Sequence, residues 1–324
     1  MILAPIPALV AVLFCAALFI LLFQYLFPRP APWRLVGTSL LTSIICTFLL
    51  ALILHRFVGA GLASFDRLTT VAAALPFAIW RIGLPEEAAK SLATILALLP
   101  FWRRVTPAQA FQTSLFVAVG FAIVENQGYA TAFGQHAMLM AFGRGFLATF
   151  THSLLAMIFG LFLMRFAARG WRDWHVLIIG YLVAVGFHAA YDTGMLPILS
   201  EFVRTKNVSM PTMVSALPVV VIGIALVLVT GLWSLRHATR RAAEEDLISA
   251  EPGHQDVVRR WRWSGNILLL LGIVGLIAAI AAGVYAGPPQ AAERPDLGAA
   301  LLYAVGFAAP IFAMIVGWVV RQKR

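Results

Sequence analysis

Residues 83–99 read GLPEEAAKSLATILALL, an apolar run that contains two adjacent acids, Glu86 and Glu87, and a base, Lys90. A charge at the middle of a bilayer costs about 2.5–3.5 kcal/mol on insertion scales, so a chain keeps such groups where they face one another, a cavity or a metal ion. The stretch therefore predicts a helix in a membrane bundle whose polar face points into a shared site.

The composition of the whole chain is that of a polytopic membrane protein. Of the 324 residues, 61% are hydrophobic and 12% are charged, and the mean hydropathy of +0.89 excludes an ordinary soluble domain. Runs of about 20 apolar residues match the thickness of a bilayer. We predict an all-α transmembrane bundle of about nine spans, at residues 3–27, 35–54, 82–101, 108–127, 145–165, 175–195, 212–235, 264–286 and 299–320.

The net charge of +10 lies in alternate loops between these spans. This positive-inside pattern predicts contact with the lipid bilayer and no nucleic-acid partner, with the N-terminus outside and the C-terminus cytoplasmic. The expected location is a bacterial inner membrane. The stretch Leu68–Trp80, which contains Pro76, is either an interfacial or re-entrant helix or a tenth span, and a tenth span would move the N-terminus inside.

Three regions follow from the charge distribution. Residues 1–235 form the predicted membrane-embedded core, with its motifs between residues 81 and 194. Residues 236–263 form a charged cytoplasmic linker. Residues 264–324 hold two accessory transmembrane spans.

Ionisable groups occur inside four of the predicted spans. Neighbouring spans run in opposite directions and each residue advances about 1.5 Å along a helix, so the depths of these groups can be compared. All fall in the outer half of four central helices. We predict one polar site made of Glu86, Glu87, Lys90, Glu125, Asn126, His152, His188 and Asp192.

The two adjacent acids have two interpretations. Pro85 suits the first turn of a helix, where acids are favoured by the helix dipole, and Glu86 with Lys90 could form a buried ion pair that orders the bundle. That pairing would leave Glu87 without an oppositely charged partner. A second carboxylate beside the first is suited to exchanging protons as a general acid or base.

The two histidines also have two interpretations. His188 and Asp192 share a helix face, so both could bind one ion or the carboxylate could orient the imidazole. His152 and Glu125, taken singly, are also consistent with packing and snorkelling. Two histidines and several carboxylates at matching depth favour a metal or water-activating site.

The motifs are Glu86-Glu87-x-x-Lys90, Gly120-Phe121-Ala122-x-x-Glu125-Asn126 followed by Tyr129, Arg144 eight residues before His152, and His188-x-x-x-Asp192. In this order they resemble the PrsW-type intramembrane protease family, which is related to the CAAX prenyl protease group. The resemblance covers residues 81–194. It implies a peptidase that cuts other membrane proteins, in one known setting an anti-sigma factor whose cleavage starts a signalling cascade.

The CAAX relatives carry Glu-Glu-x-x-x-Arg, Phe-x-x-x-His and His-x-x-x-Asn. This chain has Lys90 one position earlier, Glu125 in place of the first histidine and Asp192 in place of the asparagine. An asparagine amide can donate a hydrogen bond to an oxyanion, whereas an ionised aspartate repels it. Asp192 therefore favours a metalloprotease over a purely glutamate-driven enzyme.

The resulting hypothesis is an intramembrane endopeptidase that acts on a membrane-protein or peptide substrate. A divalent metal, zinc by its ligand types, is held by His152, His188 and a carboxylate, Glu125 or Asp192. The remaining predicted residues are Glu86 or Glu87, which activates water, and Lys90, Asn126 and Arg144, which support the site. A metal-free version uses Glu86 and Glu125 to polarise water while His188 is protonated.

Two alternatives come from other classes of protein. Buried acids and histidines also form proton relays in coupled transporters. A transporter usually shows related halves, however, whereas the polar groups here crowd one block of the chain. The second alternative is a non-catalytic scaffold that binds other spans.

Overall fold

The computed structural model describes residues 6–53, 68–132, 137–205 and 209–249. Within these ranges the chain is 90% helical and contains no strand. The elements are α1 Ile6–Leu26, α2 Trp33–Ile53, α3 Val71–Phe77, a π-helix Ala78–Gly83, α4 Leu84–Leu98, a 3₁₀ turn Leu99–Phe101, α5 Pro107–Ala132, α6 Ala137–Ala168, α7 His175–Thr205 and α8 Met210–Ser249. The all-α prediction is confirmed.

Six of the described helices, α1, α2 and α5 to α8, are long and apolar enough to cross a membrane, and the chain is an integral membrane protein. The six correspond to six of the nine predicted spans. The predicted span 82–101 coincides with the shorter α4 and its 3₁₀ extension. The predicted spans 264–286 and 299–320 lie outside the described residues, so the count of nine is not confirmed.

The helix that carries the paired acids begins earlier than the sequence suggested. Thr70 caps α3 by accepting a hydrogen bond from the backbone N–H of Ala73 at 3.2 Å. From α3 the chain passes through the π-helix directly into α4, with Pro85 in the first turn of α4 as predicted. Because π-helical turns carry one more residue than α-helical turns, they change which way the following side chains point. Within the stretch Leu68–Trp80, the residues from Val71 onward are helical and continuous with the site helix.

The chain divides into two compact units. One contains Ala31–Glu125 and Thr151–Ala238, and the other contains Met1–Pro30, Asn126–Phe150 and Thr239–Arg324. In the second of these, the rings of Phe19 and Phe146 lie 5.6 Å apart and pack α1 against α6. Helix α8 runs through the first part of the predicted linker, as far as Ser249, and residues 250–263 lie outside the described part of the chain.

In the larger unit, defined by Ala31–Glu125 and Thr151–Ala238, small hydroxyl side chains join neighbouring helices. Ser43 on α2 donates to the Val117 carbonyl of α5 at 2.6 Å, and Ser114 on α5 donates to the Ala156 carbonyl of α6 at 2.9 Å. Side-chain hydrogen bonds and small residues of this kind let membrane helices approach closely. The second of these bonds joins α5 and α6, which carry the predicted site residues Glu125 and His152.

Candidate active site

The predicted acids and histidines of the larger unit lie close together. Each of four helices contributes: α4 provides Glu86, Glu87 and Lys90, α5 provides Glu125, α6 provides His152, and α7 provides His188 and Asp192. Polar contacts connect these side chains across all four helices. The sequence predicted this proximity from helix depth alone.

Glu87 lies at the centre of these contacts and is only 1% exposed. Its Oε1 accepts a hydrogen bond from Nζ of Lys90, and it lies 2.7 Å from Nδ1 of His188. A carboxylate can only accept hydrogen bonds, so Nδ1 of His188 carries the proton of this contact. An imidazole that is neutral and carries its proton on Nδ1 would present the lone pair of Nε2 on its other side.

Two carboxylates approach that second ring nitrogen. Nε2 of His188 lies 3.3 Å from Oδ2 of Asp192 and 3.7 Å from Oε2 of Glu86. Both oxygens are buried, and neither has a hydrogen-bond partner among the described residues. A buried carboxylate oxygen without a partner is costly. A bound cation would satisfy both oxygens and the nitrogen lone pair.

His152 holds the other side of the site. Its Nε2 lies 2.6 Å from Oε2 of Glu125, and its Nδ1 lies 3.3 Å from Nζ of Lys90. The ring of Phe121 packs edge-on against the imidazole with 4.9 Å between centroids. Both ring nitrogens already face a protein group, so binding an ion through His152 exchanges one of these contacts for the ion.

The described residues contain one group with metal-ligand spacing, made of Glu86, His152 and His188. One ligand atom from each lies within 4.8 Å of the others. The two histidines were predicted as ligands, whereas Glu86 was predicted as a base. Glu125 and Asp192, the carboxylates predicted as ligands, each contact one histidine and lie outside this group.

The roles of the two acids could not be distinguished from the sequence. Glu86 and Glu87 are adjacent on one helix, so their side chains point about 100° apart. Whether Glu86 or Glu87 contacts Nδ1 of His188 depends on how α4 is rotated against α7. The π-helix that sets this rotation has no signature in the sequence.

The predicted supporting residues Asn126 and Arg144 belong to the other compact unit. There, Nδ2 of Asn126 donates to Oγ1 of Thr149 at 3.5 Å, and the guanidinium of Arg144 lies 3.6 Å from the ring centroid of Tyr129. These contacts join the end of α5 to the first half of α6. A cation–π contact of this kind also accounts for an arginine in an apolar helix.

One contact of the site helix was not predicted. The hydroxyl of Tyr181 on α7 donates to the carbonyl of Leu84 at 3.0 Å, at the start of α4. Tyr181 lies seven residues before His188, which places both on one face of α7. That spacing was the available signal in the sequence.

Comparisons with known proteins identify the family. A family model described as PrsW family intramembrane metalloprotease matches residues 31–228, more than half of the chain. Comparison with curated proteins and with solved structures gives no match. The matched range contains every predicted site residue, and the family description implies a divalent metal, for which the Glu86, His152 and His188 group provides ligands. The chain belongs to the PrsW family of intramembrane metalloproteases and is a peptidase.

Proposed function

We propose that the chain hydrolyses peptide bonds of membrane proteins with a zinc ion held by Glu86, His152 and His188. The observation that carries this proposal is the grouping of one oxygen and two imidazole nitrogens within 4.8 Å, on three different helices. A carboxylate with two histidines is a ligand set of catalytic zinc sites, which keep a further position open. When bound, the ion supplies Lewis-acid activation of water and of the peptide carbonyl.

Asp192 supports this assignment because it approaches the same ring nitrogen of His188 as Glu86 does. Its Oδ2 is buried, faces Nε2 of His188 at 3.3 Å and has no hydrogen bond to another described residue. Asp192 is thus available as a fourth ligand. Its negative charge also argues against an oxyanion-binding role, because a carboxylate repels the developing anion.

Glu87 and Lys90 act as positioning residues in this proposal. Glu87 fixes the tautomer and direction of His188, as carboxylates commonly do for metal-binding histidines. Lys90 balances the charge of Glu87 and also contacts Nδ1 of His152 at 3.3 Å. Lys90 therefore lies between His152 and Glu87, the residue that contacts His188.

Glu125 is the proposed proton carrier. Its side chain is 18% exposed, contacts His152 at 2.6 Å and lies outside the ligand group. In the reaction, a water oxygen bonds to the peptide carbonyl carbon while its proton passes to Glu125. Glu125 then returns that proton to the amide nitrogen as the C–N bond breaks, which leaves a carboxylic acid and an amine.

The location and substrate are also proposals. Basic loops on alternate sides support an inner-membrane protein with the N-terminus outside and the C-terminus in the cytoplasm. A single-span membrane protein cut in a signalling response fits the resemblance noted from the sequence. We also propose residues 1–235 as the catalytic core and residues 264–324 as accessory spans. The family assignment favours the peptidase over the transporter and scaffold alternatives.

The test uses the full-length protein in lipid nanodiscs. Bound metal is measured by mass spectrometry, and cleavage of transmembrane peptides is followed with and without a chelator. We expect about one zinc per chain, loss of cleavage after chelation and recovery on adding zinc back. Full activity in metal-free protein would contradict the zinc assignment. A proteomic comparison of membranes with and without the gene, which looks for an uncut single-span protein, would identify the substrate.

A further inference from the structure

Helix α7 faces the start of α4 along a single stripe of side chains. The stripe is formed by Tyr181, Val185, His188 and Asp192, at successive spacings of four, three and four residues. Residues at this spacing follow one face of an α-helix. Two of the four belong to the proposed metal site, and the other two contact the chain at the beginning of the site helix.

The stripe holds the first turn of α4 at two points. Near one end, the hydroxyl of Tyr181 donates to the Leu84 carbonyl at 3.0 Å. One to two turns further along α7, Nδ1 of His188 lies 2.7 Å from Oε1 of Glu87. Leu84 and Glu87 are three residues apart, so the two contacts span one turn of α4.

At Val185, which lies between Tyr181 and His188 on α7, the backbone of α7 comes close to that of Gly83. A Cβ placed on Gly83 would lie 3.3 Å from the Val185 carbonyl oxygen and 3.1 Å from that of Ala78. Both neighbours are backbone atoms, which cannot rotate away as a side chain can. Glycine at this position allows α4 to begin close enough to α7 for the Tyr181 contact to form.

The start of α4 requires such a fixed point because its own hydrogen-bond ladder is irregular. The N–H of Leu84 bonds to the Ile79 carbonyl, five residues back, as in a π-helix. The next residue, Pro85, has no N–H to donate. The rotation of Glu86 and Glu87 about the helix axis is therefore not set by an uninterrupted α-helical ladder.

We infer that Tyr181 is a positioning residue. Together with the close approach at Gly83, it sets the rotation of α4 so that Glu86 faces the other two ligands and Glu87 faces Nδ1 of His188. This inference rests on the proposed function. Tyr181 acts through the Leu84 carbonyl and the helix backbone, and has no role in the chemistry itself. The site is therefore positioned by a main-chain contact as well as by side-chain contacts.

The test replaces Tyr181 by phenylalanine, which removes the hydroxyl and keeps the ring. In nanodiscs we expect Tyr181→Phe to bind zinc about 3- to 10-fold more weakly in chelator competition, from the loss of one hydrogen bond. The visible spectrum of the cobalt-substituted protein should shift, and kcat should fall by a similar factor while KM is unchanged. Tyr25→Phe, on α1 in the other compact unit, is the matched control and should bind zinc as wild type does.

A second measurement does not depend on the metal. Hydrogen–deuterium exchange of a peptide covering residues 84–90 should be faster in Tyr181→Phe than in wild type and unchanged in Tyr25→Phe. Gly83→Ala should change zinc affinity and exchange in the same direction. Unchanged exchange in Tyr181→Phe would overturn the inference, as would wild-type zinc affinity and kcat. A wild-type protein that binds no metal and cleaves nothing would instead contradict the proposed function, and the exchange result would still decide the role of Tyr181.

Discussion

Nδ1 of His188 lies 2.7 Å from Oε1 of Glu87, although 101 residues separate them in the chain. The same oxygen accepts a hydrogen bond from Lys90, so a buried anion has two donors on two helices. A carboxylate bound in this way is suited to holding an imidazole in one tautomer. It is poorly suited to taking a proton from water, because both of its donors would oppose protonation of that oxygen.

Replacing Glu87 by glutamine should weaken zinc binding about 10- to 100-fold, the usual effect of losing a residue that orients a metal-binding histidine. Glutamine keeps the size of the side chain but removes the charge that fixes the His188 tautomer. Chelator competition in nanodiscs measures the change. Glu244→Gln, at a side chain 61% exposed on α8, is the control, and equal affinities in the two variants would refute the positioning role.

Replacing Lys90 by methionine should destabilise the protein by about 3–5 kcal/mol, because the carboxylate of Glu87 remains buried without its charged partner. Lys90 itself is only 4% exposed. Adding Glu87→Gln to Lys90→Met should restore part of the stability, since the unpaired charge is then gone. Denaturant unfolding in detergent measures both. A double variant no more stable than the Lys90 variant would argue against this charge pairing.

Replacing Glu86 by glutamine should abolish stabilisation of the protein by zinc. A ligand that binds only the folded state stabilises it by about 2.7 kcal/mol at 100 times its Kd, so wild type should melt at a higher temperature with zinc. The melting temperature of Glu86→Gln should not respond. The melting temperature of His188→Ala should also not respond to zinc, and both variants should lose cleavage. A zinc-dependent rise in either variant would remove that residue from the ligand group.

Two glycines of α5 provide a matched test of helix packing. A Cβ on Gly120 would lie 2.8 Å from Cβ of Ser43 and 3.0 Å from the Leu40 carbonyl oxygen, whereas a Cβ on Gly128 meets nothing within 4 Å. Gly120→Ala should therefore destabilise the protein by about 1–3 kcal/mol through overpacking. Gly128→Ala should stabilise it by up to about 1 kcal/mol, since alanine is the better helix former. Unfolding of the two variants under the same conditions checks both signs, and a Gly120→Ala protein as stable as wild type would contradict the close contact of α2 with α5.

The sequence predicted the helical class and the positions of most spans because apolar length and proline placement are local signals. Pro85 predicted that Glu86 and Glu87 lie in the first turn of a helix, and they do. The π-helix was not predictable, because its extra residue per turn depends on packing against α7 and not on composition. For the same reason the sequence could not say which acid faces the ligand group.

Helix spacing predicted one of the contacts among the candidate site residues. The i,i+4 relation of His188 and Asp192 predicted that both share a face, and Oδ2 of Asp192 lies 3.3 Å from the ring of its neighbour. The comparison of spans placed Asn126 in the predicted polar site, and the motif order added Arg144. Their contacts with Thr149 and Tyr129 are between helices whose relative rotation a linear motif does not encode.

The polar contacts that link Glu125, His152, Lys90, Glu87 and His188 also tie together four helices of the larger unit. Replacing any of these five residues to inactivate the enzyme would therefore also weaken the contacts between the four helices. Glu86 is not one of these five residues, and its Oε2 has no hydrogen bond within the described structure. Glu86→Gln is accordingly the variant to choose for capturing an intact substrate, since it removes a ligand and leaves the interhelical links in place.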